Sequence, residues 1–109
     1  MKAIKAFIRP EKEAEVARQL EAAGLAALTK WDVLGRGRQR GIQVGATLYN
    51  ELPKVCLLVV VEDNELEKAV SILMDGARTG QPGDGRIFVS DVKNAYTIRT
   101  GRADTLTSR

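Results

Sequence analysis

The sequence predicts an α+β fold of βαββαβ order: a four-stranded antiparallel sheet, two helices on one of its faces, and a long loop after the second strand. Three observations lead there. Apolar residues recur with a period of two through residues 2–9 and 28–34, and with a helical period after Pro10 and again after Asn64. The turn at residues 79–86, T-G-Q-P-G-D-G-R, is too rich in glycine for any helix and feeds the apolar run Ile87–Val89. At 109 residues the chain reads as a single domain, large enough to bury its core without a disulfide or a metal.

The elements follow in order. Lys2–Arg9 alternates as a strand, with Ile4, Ala6 and Ile8 on one face and Ala3, Lys5, Phe7 and Arg9 on the other. Pro10 ends it and suits the first turn of a helix. Glu11, Glu13 and Glu15 favour the positive end of that helix's dipole, and Val16, Ala17, Leu20 and Ala23 follow at helical spacing until Gly24 closes it. Leu28–Leu34 returns to a period of two, with Thr29, Trp31 and Val33 facing one way.

Gly35–Gly45 holds four glycines and three arginines in eleven residues, too little apolar content to bury itself. It is expected to be an exposed loop running to Pro53. That length in a small domain points to function, although a solvated tip would have the same composition. Lys54–Val61 is a strand apolar on both faces, so each face needs a cover.

Asn64 is expected to cap the second helix, with Glu67 completing a capping box. Leu66, Ala69, Val70, Leu73, Met74 and Ala77 form its apolar stripe. The glycine loop, a strand over Ile87–Val92 and a short extended piece over Ala95–Arg99 follow. The tail Gly101–Arg109, with Leu106 as its one sizeable apolar side chain, is expected to be mobile. This order is the ferredoxin-like split βαβ, which leaves one sheet face bare. Because the third long strand is apolar on both sides, the bare face is expected to pack against copies of the same chain, in a closed oligomer such as a trimer.

Composition narrows the function. Seventeen Lys and Arg against 14 Asp and Glu give a net charge of +3, a modest excess that does not mark a nucleic-acid-coating protein. Cys56 is the only cysteine, which excludes an internal disulfide, and its apolar neighbours make it a buried small residue. With no long apolar run and no leader, neither membrane insertion nor export is expected, and the cytoplasm is the default. There is no histidine and no nucleophile paired with a base, so nothing points to catalysis. The basic patch R-G-R-Q-R allows an RNA-binding reading, but Trp31, Phe7 and Phe88 read as core and leave no stacking platform.

The glycine loop carries the positive signal. Its backbone N–H groups could approach an anion, Asp84 could brace the turn, and Arg86 would add a cation, although G-D-G-R by itself is more often an ordinary turn. In context, Thr79, the spacing to Gly83-Asp84-Gly85-Arg86, the strand Ile87-Phe88-Val89 and the segment G-R-G-R-Q-R-G-I resemble the PII family of nitrogen-signalling proteins. The likeness runs from M-K-A-I-K-A-F-I-R-P to Y-T-I-R-T-G.

The resemblance implies a trimer binding ATP or ADP between subunits, with magnesium and ATP preparing a site for 2-oxoglutarate, and a mobile T-loop over about residues 36–53 that reports the result. Carried onto this chain, Gly37, Arg38, Gly83, Asp84, Gly85 and Arg86 would hold the phosphates, and Thr29 and Val60 would line the adenine pocket. Arg99 would come from a neighbouring subunit. Gln39 would ligate magnesium, and Gln39, Arg40, Gly41 and Lys54 would hold 2-oxoglutarate.

Some positions depart from the family pattern. The T-loop is shorter, so Tyr49 is no secure equivalent of the tyrosine that many members have nucleotidylated. Leu58 replaces an acidic residue of the nucleoside pocket, and Thr97 replaces an arginine, which bears on the preference between ATP and ADP. The short loop V-G-A-T-L-Y-N-E-L-P-K and the tail A-Y-T-I-R-T-G resemble the nitrogenase-associated branch, which implies direct inhibition of dinitrogenase, by a trimer that could include a second PII-type subunit. The alternative is a general PII protein acting on an ammonium channel or on glutamine synthetase control.

Overall fold

Alternation through β1 (Lys2–Ile8) yields a strand whose two edges are taken by segments far along the chain: β5 (Leu52–Val61) on one side and β6 (Gly85–Asp91) on the other, both antiparallel. β2 (Thr29–Gly35) adds to the far edge of β5, giving the order β2-β5-β1-β6. With α1 (Glu13–Ala22) and α2 (Leu66–Ala77) this is the predicted ferredoxin-like arrangement. The computed structural model describes residues 1–36, 51–103 and the backbone of 42–44 and 47–49.

Both helices cover the face that carries Ile4, Ala6 and Ile8 of β1 and Leu57, Val59 and Val61 of β5. Val16 and Leu20 of α1 and Ala69 and Leu73 of α2 complete a core with almost no solvent exposure. The helices pack closely because residue 76 is glycine: a Cβ there would lie 2.9 Å from Val16 Cγ2. Gly24 ends α1 with φ +83, a conformation that side chains disfavour. The Gly24 N–H donates to Glu21 O at 3.0 Å and the Leu25 N–H to Leu20 O at 2.8 Å, so orphan carbonyls at the helix end are satisfied and Leu25 is turned into the core.

Several expectations are corrected. Pro10–Lys12 is a 3-10 turn, and α1 proper starts at Glu13. The second helix is capped by Glu62, not Asn64: the Glu62 N–H donates to Glu65 Oε1 at 3.1 Å, and a 3-10 turn over Asp63–Glu65 leads into α2. The chain is still extended at Glu62 (φ −70°, ψ 158°), so the helical turn begins at Asp63 and Asn64 already lies inside it. Met74 is 52% exposed rather than core. It lies about 100° around the helix from Leu73, outside the wedge between α1 and the sheet.

The expected loop over Gly35–Pro53 contains a ladder of its own. β2 runs through Gly35, β5 starts at Leu52, and between them β3 (Ile42–Val44) pairs with β4 (Thr47–Tyr49). The alternation I-Q-V and T-L-Y about Gly45-Ala46 is a hairpin pattern that the glycine and arginine content obscured. The first residues of the expected tail are paired: β7 (Tyr96–Thr97) pairs with β8 (Arg102–Ala103), and the Gly101 N–H donates to Thr97 O at 2.8 Å. Residues 104–109 lie outside the described residues.

Trp31 and Phe88, read as core, are 40% and 53% exposed in this chain, because the helices cover only the opposite face. The register sets rows across the open face: Trp31, Cys56, Phe7 and Arg86 in one, Thr29, Leu58, Lys5 and Phe88 in the next. Cys56 is buried, as expected.

The packing predicts a contrast between adjacent helix residues. Leu73→Ala should lower the unfolding free energy by about 2–5 kcal/mol, whereas Met74→Ala should cost less than about 1 kcal/mol, measured by urea denaturation.

Candidate functional site

The glycine loop is held to β1 from its last residues backward. Ile8 pairs with Gly85 and Phe7 with Arg86, so the chain enters β6 flush against β1. At Gly85 φ is +108°, and a Cβ would sit 1.7 Å from the Phe7 carbonyl oxygen, so no other residue fits. Asp84 closes the loop on itself. Its Oδ2 accepts the Thr79 and Gly80 N–H groups at 2.8 Å each, and its Oδ1 accepts the Thr79 hydroxyl and, at 3.0 Å, Nε of Arg9. Arg9 also donates through Nη2 to Pro82 O at 2.7 Å, so one guanidinium from the end of β1 grips both sides of the turn. Desolvation pushes the Asp84 carboxyl up, but the bonds from Thr79, Arg9 and Gly80 outweigh it and hold the group well below the usual carboxylate range.

The opposite wall comes from the two strands that flank the segment between β2 and β5. Gly35 pairs with Leu52 and Val33 with Lys54. The Lys54 ammonium reaches across to donate to the Gly83 carbonyl. Burial lowers the Lys54 pKa, and Arg9 lowers it further, against smaller opposing effects of Asp84 and Glu11. Between the walls lies a cleft of about 700 Å³. Arg36, Lys54 and Arg86 bring positive charge to it, while Phe7, Val33 and Phe88 give it apolar surface. The Arg86 guanidinium carbon lies 5.8 Å from the Phe88 ring centroid, and that ring stands edge-on to Phe7 at 6.1 Å. Asp84 is the one carboxylate in the lining among the described residues, and both its oxygens are occupied. Such a cleft suits an anion that also carries apolar surface.

Of the residues singled out from sequence, Gly83, Asp84, Gly85, Arg86 and Lys54 meet at this cleft. Asp84 acts as the loop's brace, with its carboxylate turned to the loop's own donors. Thr29 and Val60 share the open sheet face but lie further along it, opposite Leu58 and Ala3, and do not line the cleft. Arg99 sits in the turn between β7 and β8, also outside the lining. Gly37, Arg38, Gln39, Arg40 and Gly41 lie outside the described residues. Among the described residues, no three His, Cys, Asp or Glu side chains gather to hold a metal.

Sequence reading missed Arg9, Phe7, Val33, Gln81 and Phe88 as parts of the site. Arg9 carried one faint signal, a cation at the last position of a strand just before a proline.

Comparison with known proteins is consistent across the chain. Residues 1–102 match the family described as Nitrogen regulatory protein P-II. A Methanothermobacter marburgensis protein named Nitrogen fixation nifHD region GlnB-like protein 1 is 52% identical over 100 residues, covering 92% of this chain and 95% of its own. The Methanosarcina barkeri protein named Nitrogen fixation nifHD1 region GlnB-like protein 1 is 51% identical, covering 94% of this chain and 97% of its own. Nitrogen regulatory protein P-II 1 of Methanothermobacter thermautotrophicus is 44% identical, covering 93% and 91%.

The brace predicts a pH signature. Because the folded pKa of Asp84 is depressed, its stabilisation is complete above the unfolded value of about 3.9 and is lost as pH falls towards the folded one. Asp84→Asn should therefore be less stable than wild type by on the order of 2 kcal/mol at pH 7, with the gap narrowing below about pH 4 in denaturant titrations.

Proposed function

The chain belongs to the nitrogen regulatory protein P-II family, and from that premise we propose that it binds ATP or ADP and 2-oxoglutarate at the cleft and controls a target through the segment between β2 and β5. P-II proteins regulate the activity of other proteins, and the names of the similar proteins point to nitrogen fixation. One observation carries the reading: the glycine loop, Lys54 and the two ends of that segment converge on a single positively charged cleft.

In this reading the N–H groups of residues 83–86 and the Arg86 guanidinium hold phosphate oxygens, and Lys54 pairs with a carboxylate of 2-oxoglutarate. Each charge-assisted bond contributes about 1.5–3 kcal/mol. The braced Asp84 has its carboxylate compensated by Arg9, Thr79 and Gly80, which lessens its repulsion of the phosphates. Magnesium would take Gln39 as its protein ligand and the phosphate oxygens as its main anchor. Arg99 and the adenine-lining Thr29 and Val60 would complete the site across a trimer interface formed on the open face, where Trp31 and Phe88 supply apolar area for burial. A second P-II-type subunit could occupy one place in that trimer.

The target we favour is dinitrogenase, inhibited directly, because relatives at about half identity carry names from the nifHD region. A general P-II role at an ammonium channel or in glutamine synthetase control is the second reading, favoured by the relative named Nitrogen regulatory protein P-II 1. We place the protein in the cytoplasm; among the described residues no helix is long and apolar enough to cross a membrane.

Calorimetric titration of 2-oxoglutarate, with and without magnesium and ATP, tests the reading. Binding should require ATP and weaken roughly tenfold or more in Lys54→Ala and Gln39→Ala. Absence of binding under every condition would refute the two-ligand sensor. Recovery of dinitrogenase from extract would favour the first target, and recovery of an ammonium channel the second.

A further inference from the structure

Lys54 touches three parts of the chain at once. Its backbone lies in β5 opposite Val33 of β2. Its stem packs on Gly35, where a Cβ would lie 3.4 Å from Lys54 Cγ. Its ammonium donates to the carbonyl of Gly83, the residue just before the Asp84 brace. Gly35 and Leu52 are the paired positions at which the intervening segment leaves and rejoins the sheet. One side chain thus spans both roots of that segment and the glycine loop.

The partners chosen by neighbouring charges make this contact stand out. Asp84 would be the natural anion for Lys54, yet its oxygens are taken by Arg9, Thr79 and Gly80. The ammonium is part-buried beside a second cation, Arg9, and donates its hydrogen bond to a neutral backbone oxygen. A lysine in that position holds the loop's backbone itself, so displacement of the loop must either move the lysine or break the bond.

We infer that Lys54 is a mechanical tie that transmits displacement of the glycine loop to both roots of the segment between β2 and β5, separately from any contact it makes with a ligand. The inference deepens the sensor reading and rests on it, because the tie supplies the route from the phosphate loop to the target-facing segment. Two sites are coupled when one physical element is biased by both, and Lys54 is such an element.

Hydrogen exchange on the full ligand-free chain tests the tie without depending on ligand binding. Lys54→Met keeps the stem and removes the donor, and Lys54→Leu, which also lacks a donor, serves in its place if the methionine variant loosens α2. Amides of residues 79–86 and 30–36 should exchange faster together, by about tenfold, while those of residues 66–77 stay unchanged. Unchanged exchange in either of the first two stretches would overturn the inference.

A second arm adds ATP alone. In wild type it should slow exchange in both stretches, and in Lys54→Met only in residues 79–86. Equal slowing of both stretches in the variant would also overturn the tie. A wild-type protein that gives no heat and no exchange change with ATP would count against the nucleotide reading, and the ligand-free comparison would still decide the tie.

Discussion

The cleft depends on how closely the backbone at residue 85 approaches β1. The Phe7 carbonyl occupies the space where a side chain at that position would begin, so the loop can dock only with glycine there. Docking brings Asp84 within reach of Arg9 at the end of β1, and the turn is then fixed from both sides: by the strand ladder at Gly85 and Arg86, and by the guanidinium at Asp84 and Pro82. Every other feature of the cleft is positioned against that fixed turn. Lys54 meets it from β5, and Arg86 leaves it along β6 to stack on Phe88.

Charge is distributed accordingly. The loop's single carboxylate is spent internally on two N–H groups, a hydroxyl and an arginine, which keeps it ionised and compensated. The cations that face the cleft receive no direct ion pair from the loop, and Asp84 acts on Lys54 only through space. A site of this kind is strongly biased towards anions before any ligand arrives, because the fold has already met the cost of ordering the donors.

Some of this was legible in residues alone, and some was read wrongly for reasons that are physical. The amphipathic stripe of α2 was visible, but Met74 fits the helical period as well as Leu73 does, and only the position of α1 separates them. Asn64 and Glu67 have capping-box spacing, yet the extended conformation continues only to Glu62, and the cap goes where the helix starts. Trp31 and Phe88 have core composition, but a sheet with helices on one side leaves its other face open, and alternation cannot say which face that is.

The sequence by itself determined the four long strands and two helices, their βαββαβ order, the glycine turn and the family likeness, because these rest on local periodicity, on backbone tolerance at glycine and on motifs contiguous in the chain. The tertiary structure alone decided that Arg9 grips Asp84, 75 residues away, and that Lys54 reaches the Gly83 carbonyl across 29. Both contacts follow from the antiparallel register of β1 with β5 and β6. A shift of one residue in that register would turn the side chains to the opposite face and dissolve the cleft, and no local pattern encodes which register the packed core will select.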